Sequence, residues 1–143
     1  GIFDELLENA DSRISLLDDA GIFCTKSLGD ALTRDLKREY KLILDWEQVF
    51  KGLDVAEYNG VPIYRVSIWD RFIRTYQNDG TKLNLPHRAM YGSPKQLFVG
   101  TPANELISDL DIWFDRKDRM NYIYSTGKLG CLIGEDNLFQ MAY

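Results

Sequence analysis

The chain has 143 residues, of which 45% are hydrophobic, 13% aromatic and 27% charged, and its net charge is −5. That apolar content with so small a net charge excludes intrinsic disorder, the length accommodates one ordinary domain, and no run of about 18 apolar residues reads as a membrane span. The charge is uneven: Asp4, Glu5, Glu8, Asp11, Asp18 and Asp19 against Arg13 place the whole excess in the first twenty residues, so there is no basic footprint for nucleic acid.

Gly1 stands where a Met would begin a complete chain, and acidic residues stand where a signal peptide would be basic. The sequence therefore reads as an excised piece of a longer protein without an export signal. Residues 1–20 are expected to form an acidic helical segment, and 21–143 a single α+β domain with a long loop near 77–96. Phe3, Leu7, Ala10, Ile14 and Leu17 recur at steps of four and three, which predicts a helix over 3–18. Its acidic side reads as a solvated face, or as a docking surface for a basic neighbour. Gly21 ends it, and Ile22-Phe23-Cys24-Thr25 reads as a buried strand. Ser27, with Asp30 three residues on, offers an approximate capping box. Leu28, Leu32, Leu36 and Tyr40 then make 28–41 an amphipathic helix with bases near its C-terminus.

Residues 46–57 read as a turn of helix followed by an edge strand. Asn59-Gly60 is a tight-turn dipeptide, and the β-branched and aromatic run to Val66 is a strand that admits Pro62 among its first residues or on an edge. Leu97-Phe98-Val99 reads as a buried strand. Leu110, Ile112 and Phe114 alternate with Asp111, Trp113 and Asp115 in a half-buried strand. A charged turn at 115–119 and a return strand at 120–126 follow. The expected class is α+β, with a mixed or antiparallel sheet flanked by helices. The expected core joins Leu28, Leu32, Leu36, Ile63, Val66, Leu97, Val99, Leu110, Ile112 and Phe114.

Few residues carry chemistry. Asp109, Asp111, Asp115 and Asp118 are the densest carboxylates and could hold Mg²⁺ or Ca²⁺, but their alternation and the basic turn favour a solvated hairpin tip. His87 would need Ser93 or a cysteine beside it to form a nucleophile–base pair. Gly127-Lys128-Leu129-Gly130 lacks the upstream glycine and the Ser/Thr of a P-loop. Cys24 and Cys131 have no CxxC company, and they read as small buried thiols that are reduced, unpaired and free of metal. The aromatics Trp46, Trp69, Trp113, Tyr58, Tyr64, Tyr76, Tyr91, Tyr122 and Tyr124 read as core and interface residues rather than a stacking platform.

Five segments in order resemble the major capsid proteins of tailed bacteriophages. Ile22–Leu32 is similar to that family's strand-then-helix segment, and Glu57-Tyr58-Asn59-Gly60-Val61-Pro62-Ile63 to its "aromatic-x-Gly-Ile/Val-Pro-Ile" strand. Lys95–Thr101 is similar to its strand ending in Gly-Thr, Leu110–Arg116 to its "val-trp-tyr-asp" strand, and Tyr122–Gly130 to a strand near its C-terminus. Pro102 departs from the acidic residue that commonly follows Gly-Thr. The family's extended N-terminal arm and long hairpin loop have no counterpart in the sequence. The resemblance implies an axial-domain-like fold with part of the peripheral domain, and no catalytic, cofactor or metal residues. It also implies self-assembly with other copies into a virion head shell around DNA, built in the host cytoplasm, without sequence-specific nucleic-acid or membrane binding. An isolated piece would be monomeric or weakly associated. Asn78, Asp79, Gly80 and Lys82 are the expected subunit contacts, in the segment taken to face the capsomer axis. The alternative is a small α+β enzyme or ligand-binding domain using the 77–96 loop and the Asp109–Asp118 cluster.

Overall fold

A computed structural model describes residues 1–77, 85–101 and 109–142, and the chain divides into two compact units. The first holds 1–94 and 135–143, the second 95–134.

The first unit is built on a six-stranded sheet. Its strands are β1 (Gly21–Thr25), β2 (Glu47–Phe50), β3 (Leu53–Tyr58), β4 (Val61–Val66), β5 (Ala89–Gly92) and β10 (Phe139–Ala142), in the order β10-β5-β1-β4-β3-β2. Only β1 and β4 are parallel, so the sheet is mixed. Asn59 and Gly60 turn β3 into β4 with φ of 49° and 76°, the paired positive φ of a two-residue hairpin turn. The helices are α1 (Ile2–Glu8), α2 (Lys26–Glu39) and α3 (Ser67–Tyr76). Register places Ile22, Cys24, Ile63, Ala56, Ala89 and Tyr91 on one sheet face. There all but Ala56, itself buried, form one core cluster with Phe3 and Leu6 of α1, Ile14, Leu28 of α2 and Leu138. Phe23 and Tyr64 stack on the other face with their rings 4.9 Å apart.

The α+β class and the mixed sheet stand as expected, but several elements differ. The predicted helix over 3–18 stops at Glu8, and a single 3₁₀ turn follows at Ile14–Leu16. Between them Asp11 accepts the Arg13 backbone N–H at 2.9 Å, a local side-chain bond that competes with helical pairing. Phe3 and Ile14 still reach the core. Residues 46–57 hold two strands and no helical turn, because Gly52, at φ +94°, reverses the chain between β2 and β3. Helix α2 begins at Lys26, not after Ser27, and the side chain of Thr25 at the cap bonds Arg88 and Ser27 but caps no helix N–H. The carboxylate of Asp70 in α3 accepts the Lys26 and Ser27 backbone N–H groups instead, at 2.7 and 3.3 Å. A tertiary cap has replaced the local one. The 77–96 segment, read as loop, supplies β5, which is paired on both sides.

The second unit consists of two antiparallel pairs nested in sequence. Strand β6 (Leu97–Gly100) pairs with β9 (Gly130–Ile133), and β7 (Asp109–Asp115) with β8 (Met120–Thr126). The three predicted strands form as β6, β7 and β8, and the 116–119 turn closes β7 on β8, but the expected burial does not follow. Leu97, Val99, Leu110, Ile112 and Phe114, assigned to the core, are all exposed, as is Cys131. Among the described residues each pair is two strands wide and carries no second layer of its own, so apolar alternation there buries nothing. Of the expected core, Leu28 and Ile63 are buried, and Leu32, Leu36 and Val66 are half-buried.

Candidate assembly surface

The apolar residues of the second unit face outward on both sides of a ribbon. Register sets Leu110, Ile112 and Phe114 opposite Ser125, Ile123 and Asn121 on one face of β7–β8. Asp111, Trp113 and Asp115 lie opposite Tyr124, Tyr122 and Met120 on the other. Trp113 and Tyr122 stack with centroids 5.7 Å apart. This is a cross-strand aromatic pair, which holds register even on an open ribbon. In β6–β9 the exposed residues are Phe98 and Leu132 on one face and Leu97, Val99 and Cys131 on the other. Thirteen large hydrophobic side chains between 97 and 132 are exposed, and none of the described residues of 95–134 is buried.

Two of the four carboxylates proposed for a cation serve the hairpin. Asp115 accepts the Lys117 backbone N–H at 2.8 Å, and Asp118 accepts the Tyr122 hydroxyl at 3.0 Å. Asp109 opens β7 opposite Thr126, and Asp111 is exposed opposite Tyr124. Among the described residues no three His, Cys, Asp or Glu side chains converge on a common point. His87 is exposed, beside Ser27, Asp30, Thr33, Arg34 and Arg65 at a shallow concavity of about 520 Å³. Ser93 is buried and donates its hydroxyl hydrogen bond to Asp19 at 2.7 Å, so it is not brought to His87. Asn78, Asp79, Gly80 and Lys82 lie outside the described residues.

The strongest electrostatic arrangement is structural. Arg65 of β4 pairs with Asp30 of α2 and Asp54 of β3, each at 2.6 Å, and its guanidinium carbon lies 4.4 Å from the centre of the Trp46 ring. Trp46 in turn donates its indole N–H to Thr33 at 2.9 Å. Burial raises the Asp30 carboxyl, but Lys26 and Arg65 outweigh it and hold the group below its ordinary range. Cys24, in the core on β1, is pushed up to about 12 by burial, which leaves its thiol protonated and inert.

The first unit carries an apolar surface of its own, for which the sequence analysis assigns no element. Helix α3 carries Ile68, Phe72 and Tyr76 at steps of four, with Trp69 and Ile73 beside them, a helical stripe between Val66 and the Asn78-Asp79-Gly80 run. With Met90 of β5 and Met141 of β10 these residues line an open groove of about 700 Å³ that ends at Gln77 and Arg88, which are joined at 2.7 Å.

No family model, curated protein or solved structure matches the chain.

Proposed function

We propose that this chain is a structural protein, the axial-domain portion of a tailed-bacteriophage major capsid protein, which assembles with copies of itself into the head shell around packaged DNA. The observation that carries the reading is the second unit, with thirteen exposed large hydrophobic side chains and no buried residue among those described. A surface of that kind marks a protein–protein contact. The α+β class with a mixed sheet is compatible with the axial domain. The five motifs in order supply the family, on likeness rather than on geometry.

The reading assigns no catalytic residue. The alternative, a small enzyme or ligand-binding domain, would draw on carboxylates of which Asp115 and Asp118 already serve the hairpin turn. The shell would form in the host cytoplasm and persist as the virion head. Electron microscopy of the full-length protein expressed alone tests the proposal. Rings, sheets or closed shells are expected. A protein that stays dispersed at its highest soluble concentration would overturn it. Coding neighbours for a terminase, a portal and a scaffold protease are expected beside the gene.

A further inference from the structure

We propose that the uncharged face of the β7–β8 hairpin is a contact between two copies of this chain, each laying that face on the other's. The inference deepens the self-assembly reading and rests on it.

The face is Leu110, Ile112 and Phe114 on one strand and Asn121, Ile123 and Ser125 on the other. Its four apolar side chains are 57–71% exposed, and no ionisable group stands among the six. The opposite face carries Asp111 and Asp115. Two copies meeting through that face would set carboxylate against carboxylate, whereas through the uncharged face no like charges are brought together. Self-apposition therefore selects one face of the two. It also supplies what the hairpin lacks: two stacked ribbons at about 10 Å form a two-layer unit, whereas one two-stranded ribbon is at best marginal in water. The contact is isologous, so positions near its two-fold axis meet their own counterparts.

The area sets the strength. The face is six residues on each copy, against the roughly 20–30 a side of a standard interface. Against the cost of lost translational and rotational freedom, so small a pair is weak. That strength suits one contact among the many of a shell, and it matches the weak association expected of the isolated chain.

Sedimentation velocity of the whole chain over a concentration series tests this. A reversible monomer–dimer equilibrium is expected. Ile112→Lys and Ile112→Asp should each weaken it at least tenfold, and an equimolar mixture of the two should restore association, because opposite charges then meet across the two-fold axis. Asp111→Lys, on the other face, should leave it unchanged. Ile112 is 66% exposed, so the variants are expected to keep the wild-type circular dichroism. Dimers that survive Ile112→Lys, or that Asp111→Lys abolishes, would assign the contact elsewhere, overturning the inference while leaving self-assembly standing. A wild-type chain that stays monomeric throughout would overturn the inference, and if electron microscopy also finds no assemblies, the self-assembly reading goes with it.

Discussion

Ile63→Ala should be among the most destabilising single truncations in the sheet. Ile63 is fully buried on β4, with Ile22 of β1 beside it on one side and Ala56 of β3 on the other. The change deletes three carbons, which is about 2.4 kcal/mol at ~0.8 kcal/mol per buried carbon. Both neighbours are held by ladder hydrogen bonds and cannot close the gap, so a cavity contribution brings the total to about 3–4 kcal/mol. Ile68→Ala on α3 is the matched control. Ile68 is 55% exposed at the open groove, so the same deletion should cost less than about 1 kcal/mol. Half-buried Leu32 should fall between, below about 2 kcal/mol. Urea unfolding followed by helical circular dichroism reads all three, since α1, α2 and α3 lie in the first unit. With a slope of roughly 2 kcal/mol/M, the midpoint should drop by about 1.5–2 M for Ile63→Ala and by less than 0.5 M for Ile68→Ala. Equal losses would refute the reasoning, because Ile68 would then be covered.

Asp70→Ala should cost about 1–2 kcal/mol by removing the acceptor of two α2 backbone N–H groups and the negative charge at that helix N-terminus, with Asp70→Asn losing about half as much; unchanged unfolding midpoints would show that the cap is energetically idle. A thiol reagent should label Cys131 rapidly in the native protein and Cys24 only on unfolding. Because the folded Cys24 pKa is raised from 9.0 to about 12, the unfolded state holds fewer protons in that interval; stability should fall as pH rises from about 9 towards 12, and Cys24→Ala should flatten that fall. Gly92→Ala would place a methyl 2.5 Å from the Phe139 ring and 2.8 Å from the Leu138 carbonyl oxygen, so it should cost about 1–3 kcal/mol and remove hydrogen-exchange protection from β10.

Local signals in the sequence were read well and tertiary ones poorly, for identifiable reasons. The turn at Asn59-Gly60 depends on two residues that tolerate positive φ, so dipeptide chemistry specifies it. The 115–119 turn and its return strand are likewise set within a dozen residues. The α2 cap was misread because its acceptor is Asp70, more than forty residues from Lys26, and no spacing rule links them. The four residues of β5 are a strand by virtue of β1 on one side and β10 on the other, and Ala89-Met90-Tyr91-Gly92 alone has neither the length nor the alternation to say so. The α3 stripe is legible at Ile68, Phe72 and Tyr76, whose steps of four are a local helical signal. The four expected contact residues, Asn78, Asp79, Gly80 and Lys82, fall outside the described residues.

The misplaced core carries the larger lesson. Alternation reports that one face of a strand avoids water, and it is silent about which chain supplies the cover. In the first unit the cover is internal: Ile22, Cys24 and Ile63 share their core with Phe3, Leu6 and Leu28. In the second unit the same signal, in Leu110, Ile112 and Phe114, meets no layer among the described residues of that unit, and the side chains are exposed. A monomeric protein of this size would tend to shed such side chains, since exposed apolar strands with unpaired edges invite aggregation. Here they persist beside devices that restrain indiscriminate pairing: aspartates on one face of β7 and a tip crowded with Arg116, Lys117, Asp118 and Arg119. Of the hairpin's two faces, only the uncharged one would let a copy settle without electrostatic cost. That asymmetry separates a contact surface from a folding defect, and it makes exchanging Ile112 for a charged residue the informative experiment.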